Sequence, residues 1–355
     1  TTRVDKLSKA FGYVFTLNAF IVFIYGYYQK KSLEITSSLL YIGSAIGVIF
    51  AGDLLTLYFF WEAMAIMSTF LILENKKKRS FEAAKRYVLV HIIGGLVLLV
   101  GIIFIYFETE SLAFSAMSNT SSLGAWLILI GFLVNVGAVP FSSWLSDAYP
   151  EATIVGGVIL SAYTTKTAVY TLLRGFAGWD ILIILGCIMG IYGVIYAILE
   201  NDMRRILSYS IVNQVGFMLV GAGIGTEMAI NGASSHAFAH ILYKALLLMS
   251  AGSVLYMTGR RNCTDLGGLF QSMPITMICG VIGAFAISAF PFTSGFVTKS
   301  MISYAAADEH LFYVWLGLVA ASAGVFLHAG IKFPWFVFFQ KDSGLRPPDP
   351  PGNMR

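Results

Sequence analysis

Ionisable side chains interrupt several long apolar stretches of this chain. They are Glu62, Lys166, His236, His240, Lys244 and Lys299. Charged groups inside a membrane span are costly, and where they occur they usually mark a path for ions or protons. A carboxylate, an imidazole and an amine can each bind and release a proton. These residue types therefore predict a site that handles protons within the membrane.

The stretch SSHAFAHILYKALLLMSAG carries three of these groups at helical spacing. His236, His240 and Lys244 follow at i, i+4 and i+8, so a helix places them along one face about 12 Å long. Such a row can relay protons through intervening water. A structural polar network is the first alternative. Zinc binding by the two histidines is the second, but no Glu follows the first histidine and no third ligand is near. We expect no metal site.

Glu62 and Lys166 stand alone in their apolar stretches, LYFFWEAMAIMSTF and VILSAYTTKTAVYTLL. Burial favours the neutral form of each group, whereas a partner of opposite charge favours the ionised form. A group held between these effects changes protonation when its partner moves. The alternatives are a neutral Glu62 hydrogen-bonded to a neighbouring helix and a Lys166 that extends to the membrane interface.

Lys299 follows eight residues after Pro291 in FPFTSGFVTKSMI. Pro, Gly and Ser before it predict an unwound helix, whose free carbonyls and associated water would stabilise the cation. An interfacial anchor is the alternative role for Lys299. His328 and Lys332 in the last span are weaker candidates, because Lys332 is close to a predicted membrane boundary.

A short internal echo links two prolines. The segment AVPFSS at 138–143 resembles AFPFTS at 289–294, and each places a proline, Pro140 or Pro291, inside an apolar span. The two spans are five apart, an odd number, so equivalent helices run in opposite directions. This pattern predicts inverted repeats, 30–174 and 178–340, each with one broken helix, as in ion-coupled transporters. A chance echo in a biased composition is the alternative.

The composition is that of a membrane protein. Of 355 residues, 57% are hydrophobic and 12% charged, and the mean hydropathy is +0.76. About 20 apolar residues span a bilayer as a helix. We predict an all-α polytopic membrane protein, a single transmembrane domain over 1–355 that is a fragment lacking both termini. Its about eleven spans lie near 11–28, 35–51, 54–73, 87–107, 124–145, 154–173, 181–199, 206–224, 229–256, 275–301 and 311–339.

Basic residues alternate from loop to loop. They cluster in every second loop, at Lys30 and Lys31, 76–79 with Lys85 and Arg86, Arg204 and Arg205, Arg260 and Arg261, and Lys341 and Arg346. The loops between them are poor in Lys and Arg. This alternation supports the span count and places the basic loops in the cytoplasm. Arg3, Lys6 and Lys9 fall on the wrong side, which we interpret as the remainder of a severed loop.

The sequence contains no pattern for a bound cofactor. Cys187, Cys263 and Cys279 are scattered, without a C-x-x-C pair or an adjacent histidine, which argues against an iron–sulfur, zinc or disulfide framework. There is no nucleotide, flavin or haem signature, so any electron chemistry would belong to another subunit. The pI of about 8.8 reports orientation in the membrane rather than nucleic-acid binding.

Six motifs follow one another along nearly the whole chain. They are FWEAM around Glu62, P-x-x-x-W-L-x-D-A at 140–148, TKTAVY around Lys166, NDMRRILSYSIVNQVGF from Asn201, HAFAHILYKALL from His236 and SGFVTK at 294–299. With them the chain resembles the proton-translocating, antiporter-like membrane subunits shared by NADH–quinone oxidoreductase and Mrp-type Na+/H+ antiporters. The wording DAYPEAT, NQVGFM and HAFAH is most similar to the D-type subunit of the Mrp group.

The resemblance implies about fourteen helices in inverted five-helix repeats, of which this chain would lack the first two and the last. It implies that Glu62 is the first-half acid that pairs with a lysine and that Lys166 is the connecting lysine. It makes the row from His236 to Lys244 the central axis and Lys299 the terminal group of the second half.

Two positions depart from the family pattern. Asn135 stands where a lysine is usual on the first broken helix, and Ser142 stands where a histidine is common. The usual Glu–Lys switch of the first half therefore cannot form. Either Lys166 becomes the partner of Glu62, or the first half conducts less or differently.

These features predict a proton-translocating subunit of a multi-subunit Na+/H+ antiporter in a bacterial inner membrane, partnered by other membrane subunits. In the predicted mechanism, a proton on Glu62 changes the field at Lys166, whose proton passes to the His236–Lys244 row and on to Lys299. Unit charges about 6 Å apart interact by roughly 3 kcal/mol at an effective dielectric near 20, which is sufficient to drive such a transfer. Whether Na+ crosses this subunit stays open, since no cage of carbonyls and carboxylates is visible.

Two other functions remain open. One is a proton-pumping M-, L- or N-type subunit of NADH–quinone oxidoreductase or a related membrane hydrogenase, in which this chain would be the non-redox pump module. The other is a scaffold that holds partner subunits and transports nothing.

Overall fold

The computed structural model describes residues 1–28 and 31–355. Over these residues the chain forms fourteen α-helices. They are α1 Lys6–Tyr25, α2 Ser32–Phe50, α3 Leu54–Leu73, α4 Lys78–Thr109, α5 Leu123–Val136, α6 Ser143–Ala148, α7 Ile154–Ala162, α8 Thr164–Gly175, α9 Asp180–Leu199, α10 Met203–Ile224, α11 Glu227–Thr258, α12 Pro274–Ile287, α13 Ser294–Asp308 and α14 Phe312–Val325. Two π-helical segments, Phe326–Lys332 and Trp335–Phe339, extend α14.

The helices are those of a multi-pass membrane protein. Among the described residues, eight helices are long and apolar enough to cross a bilayer, and α5 and α12 are shorter apolar helices. The prediction of an all-α polytopic membrane fold is confirmed, and the predicted span count is consistent with it. The short helices arise because three predicted spans, 124–145, 154–173 and 275–301, are each divided into two pieces.

Two of the three divisions fall at the predicted prolines. Helix α5 ends before Gly137, whose φ of 74° is left-handed and suits a residue without a side chain. Pro140 follows in the link to α6, and Pro291 lies in the link between α12 and α13. Proline removes a backbone donor and clashes with the preceding turn, so each link interrupts its helix. Both prolines therefore lie in links between two helices.

The third division was missed from the sequence. Helix α7 ends at Ala162 and α8 begins at Thr164, immediately before Lys166. No proline or glycine marks this break. The only signal was the cluster of hydroxyl side chains at Ser161, Thr164 and Thr165, because hydroxyl side chains can compete for the hydrogen bonds of the helix backbone.

Contacts between loops define a basic end of the bundle. Lys31 donates to the carbonyl of Glu74 at 3.3 Å, and Asn75 donates to the carbonyl of Glu151 at 2.7 Å. Arg261 pairs with Glu151 at 2.8 Å and also with Asp202. The loops that hold the basic residues therefore meet at one end. Lys30, where the predicted first repeat starts, lies outside the described residues.

The remaining loops meet at the opposite end. The backbone N–H of Gly52 donates to the carbonyl of Thr1, and the backbone N–H of Met117 donates to the carbonyl of Gly175 at 2.8 Å. Helix α5 runs from this end towards the basic end, whereas α12 starts at the basic end and runs away from it. The two broken helices thus have opposed directions, as an inverted repeat requires.

The basic residues near the N-terminus do lie at this opposite end, so the discrepancy in the charge alternation is real. Arg174 at the end of α8 pairs with Asp5 at 2.9 Å. Its guanidinium holds the pKa of the Asp5 carboxyl well below the usual range, chiefly through their side-chain hydrogen bond. Arg3 also pairs with Asp5, at 3.1 Å. Part of the positive charge at this end is therefore neutralised locally.

The core of the bundle is formed by α7, α8, α10 and α11. The apolar length of α10 is buried throughout, and most of α11 is buried as well. Helices α9 and α10 approach closely at Gly193. A β-carbon added there would lie 2.5 Å from the backbone nitrogen of Asn213, so the contact needs a residue without a side chain. Lys166 lies on α8, and His236, His240 and Lys244 lie on α11, whereas Lys299 lies on α13.

Arg204 fixes the basic end of this core. Its guanidinium donates to the carbonyls of Pro150, Ala152 and Thr153 at 2.9 to 3.0 Å and to that of Tyr149 at 3.4 Å. The side chain is 5% exposed. A buried segment without regular hydrogen bonds needs such partners for its carbonyls. Arg204 therefore anchors the link between α6 and α7 to α10.

Replacement of this arginine tests the anchor. Arg204→Met would leave several buried carbonyls without donors, so we expect a loss of at least about 3 kcal/mol of unfolding free energy. Thermal unfolding of the purified protein in detergent measures the loss. Arg205→Met is the matched control, because Arg205 pairs with Glu200 at a side chain that is 41% exposed, and such pairs contribute about 1 kcal/mol at most. Equal stability of the two variants would contradict the anchoring role.

Candidate functional site

His236 lies at the centre of a buried hydrogen-bond network that joins three helices. Its Nδ1 is 2.7 Å from Thr298 Oγ1 on α13, and its Nε2 is 3.1 Å from Gln214 Oε1 on α10. Tyr243 donates to the same Gln214 oxygen at 3.1 Å. His236 has no exposed surface, so these contacts hold it inside the protein.

The direction of each hydrogen bond in this network follows from one fixed acceptor. Asn213 Nδ2 must donate to the carbonyl of Gly190, 2.7 Å away, so Asn213 Oδ1 accepts from Gln214 Nε2 at 2.6 Å. Gln214 Oε1 is then the acceptor that faces His236 Nε2, which must carry a proton. In neutral His236, Nδ1 is therefore the basic atom and accepts the hydroxyl of Thr298.

His240 is the next group on the same face of α11. Its ring centroid is 6.2 Å from that of His236 and 5.3 Å from that of Tyr243. Within the part of the chain that the structure describes, neither ring nitrogen has a hydrogen-bond partner. Lys166, Lys244 and Lys299 are all close enough to His240 to interact with it electrostatically. His240 thus lies where the candidate groups converge.

Three buried lysines surround this pair of histidines, and each donates to a backbone carbonyl. Lys244 Nζ is 3.1 Å from the carbonyl of Leu207, and Lys299 Nζ is 2.7 Å from that of Ile287. Lys299 also lies 5.1 Å from the ring centroid of Phe217, a cation–π distance. Ile287 is the last residue of α12, so its carbonyl has no hydrogen-bond donor within that helix and is available to Lys299.

Lys166 uses the same arrangement at the α7–α8 break. Its Nζ donates to the carbonyl of Ser161 at 2.7 Å and contacts Thr165 Oγ1 at 3.0 Å. The side chain has no exposed surface, which excludes the alternative of an interfacial anchor for Lys166. Among the described residues, neither Lys166 nor the other two lysines forms an ion pair with a carboxylate.

Glu62 lies apart from the central cluster, between α3 and α4. A β-carbon added at Gly95 would be 1.9 Å from Glu62 Oε1, so only glycine admits the carboxylate at this point. That oxygen is buried and unpartnered within residues 1–28 and 31–355. Glu62 and Lys166 form no direct ion pair there. Their helices, α3 and α8, both pack against α2. A proton moving between them needs an intermediate carrier.

The two positions that depart from the family pattern are both buried. Asn135 is 1% exposed and Ser142 is 2% exposed. Neither amide atom of Asn135 has a partner among the described residues. Buried polar atoms usually bind protein groups or ordered water, so the position suits a hydrated site.

The weaker candidates of the last span have structural partners. Lys332 donates to the carbonyls of Ala197, Ile198 and Glu200, which end α9. His328 Nδ1 is 2.9 Å from the carbonyl of Gly324 in its own helix. We therefore leave both outside the candidate site.

Sequence reasoning missed several residues that the structure brings into the site. Gln214, Asn213, Tyr243 and Thr298 surround His236, and their polarity inside apolar sequence was the available signal. His91 on α4 was missed as well, although it interrupts the apolar stretch VLVHIIGG. It is 2% exposed.

The fold and this site define a class: a polytopic membrane protein whose core contains broken helices and buried ionisable side chains. A family model described as NADH:quinone oxidoreductase/Mrp antiporter, transmembrane, matches residues 51–326. The chain belongs to this family.

Two similar relatives have different functions in their names. The D-type Na+/H+ antiporter protein of Alkalihalophilus pseudofirmus is 32% identical over 281 residues, 73% of this chain and 56% of the relative. The M-type NADH-quinone oxidoreductase protein of Pseudomonas aeruginosa is 32% identical over 291 residues, 74% of this chain and 57% of the relative. The chain thus spans little more than half the length of these relatives, and less of some others.

A solved structure has the same fold. The Mrp complex from Dietzia sp. DQ12-45-1b contains a chain that superposes with a TM-score of 0.87 at 21% identity, covering 96% of this chain and 67% of that one. At this identity the likeness shows the fold, and the helical architecture derived above agrees with it.

Gln214 gives a direct test of the His236 network. Gln214→Leu would remove the acceptor of both His236 Nε2 and Tyr243, so we expect a loss of about 1–3 kcal/mol for each buried donor left unpaired. Thermal unfolding in detergent is the measurement. Gln271→Leu, at an exposed position, is the control and should change stability by no more than about 0.5 kcal/mol. A Gln214→Leu variant as stable as the control would show that the network is not formed.

Proposed function

We propose that this chain is a proton-translocating membrane subunit of a multi-subunit Na+/H+ antiporter, of the D type. The observation that carries the proposal is the buried cluster of three lysines and two histidines without a carboxylate partner among the described residues. A permanently charged cluster of this kind would be strongly destabilising. Groups that exchange protons with one another and with water avoid that penalty.

The route runs from Glu62 to Lys166, on to the row of His236, His240 and Lys244, and from that row to Lys299. The two histidines form no hydrogen bond with each other, and their ring centroids are 6.2 Å apart, so a proton passing between them would need a bridging water molecule. His236 receives its proton at Nδ1, since Nε2 is already protonated against Gln214. Repulsion among the lysines limits how many carry a proton at once, and this couples each step to the next.

A proton pump of the M, L or N type in NADH–quinone oxidoreductase or a related hydrogenase is the second candidate. A relative of the M type matches this chain at the same identity as a relative of the D type, and this match supports the second candidate. In that case redox energy from other subunits would drive protons along the same residues, and this chain would be a pump module without redox groups. The two candidates differ in whether Na+ drives proton movement in the absence of NADH.

The wider setting follows from the same proposal. The membrane is a bacterial inner membrane, the basic end faces the cytoplasm, and other membrane subunits complete the complex. Residues 1–355 form one transmembrane domain with the halves 30–174 and 178–340. The first half contains the divided spans 124–145 and 154–173, and the second contains the divided span 275–301. Passage of Na+ through this subunit is not part of the proposal.

Lysine substitution in the assembled complex tests the route. We expect Lys166→Ala to lower Na+-driven ΔpH by about tenfold or more in inverted vesicles, because the connecting proton carrier is lost. Lys341→Ala is the control, because Lys341 is exposed at the basic end, and it should leave ΔpH unchanged. Subunit content is checked by blotting. An assembled Lys166→Ala complex with full ΔpH would favour a scaffold role.

The same vesicles distinguish the two candidate functions. In an antiporter, an imposed Na+ gradient generates ΔpH without NADH. A redox pump generates ΔpH only with NADH and quinone. Lys166→Ala should abolish the signal in either case, so the driving force identifies the complex while the variant tests the chain.

The contact between Gly95 and Glu62 gives an independent prediction. Gly95→Ala adds a methyl group where Glu62 Oε1 lies, so the carboxylate must move away from α4. Alanine also favours a helix by about 0.8–1.0 kcal/mol over glycine. We therefore expect a well-folded complex with reduced ΔpH. Gly43→Ala, where an added β-carbon meets nothing within 4 Å, should transport normally, and equal transport by both variants would contradict the placement of Glu62.

A further inference from the structure

His91 is a buried histidine in the first half of the chain that the proposed route does not use. Its Nδ1 is 2.9 Å from the carbonyl of Tyr87 in the same helix. A carbonyl can only accept, so Nδ1 carries a proton and Nε2 of the neutral ring is the basic atom. Nε2 is buried and has no partner in the described part of the chain. His91 is thus oriented to accept a proton at Nε2.

The ring is held firmly in this orientation. It stacks on Tyr87 with centroids 4.0 Å apart and meets the edge of Trp144 at 4.6 Å. Trp144 in turn donates to the carbonyl of Val134 at 3.0 Å, across the first helix break. His91 is therefore fixed against the broken helix itself.

Glu62 lies one helical turn away along α4. Its Oε1 occupies the space beside Gly95, and Gly95 follows His91 by four residues. Residues four apart lie on the same helix face, separated by about 6 Å along the axis. This figure is the rise between the two backbone positions, and ordered water between the side chains would carry a proton from the carboxyl group to the imidazole.

Asn135 borders the same region from α5. Its neighbour Val134 packs so closely on Gly94 that an added β-carbon there would lie 2.9 Å from a Val134 methyl carbon. The amide of Asn135 is buried and unpartnered within the described ranges. Glu62, His91 and Asn135 therefore lie on the packed helices α3, α4 and α5, and each has a buried polar atom without a hydrogen-bond partner among the described residues.

We propose that His91 is the proton-accepting partner of Glu62 in the first half of the chain, in place of a lysine at the position of Asn135. This inference rests on the proposed proton-translocating function. In the transfer, the O–H bond of the Glu62 carboxyl breaks and an N–H bond forms at His91 Nε2 through water. The products are a carboxylate and an imidazolium, so net charge is conserved. The amide of Asn135 orients the bridging water.

Other titratable groups on the elements packed around His91 are few. Helix α3 contributes Tyr58 with Glu62, and α5 carries no ionisable side chain. Helix α6 carries Asp147, which is bound to Arg86 at 2.6 Å. Tyr149 follows α6 and packs on Trp144 at 5.7 Å. Glu62 is therefore the carboxyl group near His91 that lacks a partner of its own among the described residues.

Two substitutions in the assembled complex test the role of His91. His91→Phe keeps an aromatic ring against Tyr87 and Trp144 but cannot bind a proton. We expect it to lower Na+-driven ΔpH by about tenfold or more. Adding Asn135→Lys restores a titratable group beside Glu62 and should recover much of the lost ΔpH. His310→Asn, at an exposed histidine, is the control and should have no effect.

Each result has a definite meaning. Full ΔpH from an assembled His91→Phe complex, with Lys166→Ala still inactive, would overturn the inference and leave the proposed function intact. Failure of Asn135→Lys to restore a lowered ΔpH would show that His91 acts through packing, which also overturns the inference. Unchanged transport in both His91→Phe and Lys166→Ala would contradict the proposed function itself.

A spectroscopic measurement covers the case in which His91→Phe does not assemble. Infrared difference spectra of the ¹⁵N-histidine-labelled complex, recorded through a pH titration, follow imidazole protonation with His91 in place. We expect Glu62→Gln to shift the titration of one imidazole, because the charge of its neighbour is removed. Identical imidazole titrations in the wild type and in Glu62→Gln would overturn the inference.

Discussion

The structure depends on amines that bind backbone carbonyls released where helices break. Lys166 binds the carbonyl of Ser161 at 2.7 Å, and Lys299 binds that of Ile287 at the same distance. A continuous helix would use those carbonyls for its own hydrogen bonds, and a buried amine would then lack an acceptor. A carbonyl accepts from an amine whether or not it is charged, so this contact holds the side chain through a protonation cycle. The breaks thus position the lysines without committing them to one charge state.

The surrounding architecture keeps these breaks in place. Arg204 binds the segment between α6 and α7 from the basic end, and Trp144 bridges the link after α5. The central helices bring Lys166 and the histidines of α11 into one electrostatic neighbourhood. Glu62 lies beside Gly95 on α4, the helix that also carries His91, so the acid and base that we propose for the first half belong to other helices than the central row. The proposed proton carriers therefore lie at separate positions, and each has polar groups of its own nearby.

Much of the fold could be predicted from the sequence because membrane spans and prolines leave strong local signals. The helix breaks at Pro140 and Pro291, the burial of Lys166 and the opposed directions of the broken helices were all expected. The break before Lys166 was missed because hydroxyl residues mark it only weakly. The expected pairing of Glu62 with Lys166 does not occur as a direct contact, since helix packing decides which side chains meet. His91 was overlooked because a single histidine in an apolar run gives no spacing pattern, and its partner belongs to another helix.

The central claim is that the buried amines titrate, rather than only supplying positive charge. Lys299→Arg tests it most directly, because arginine keeps the charge, the donors and the stacking on Phe217 but does not release its proton. The measurement is Na+-driven ΔpH in inverted vesicles that contain the assembled complex. The account predicts that ΔpH is lost while subunit content is unchanged. Transport at the wild-type rate by the Lys299→Arg complex would contradict it.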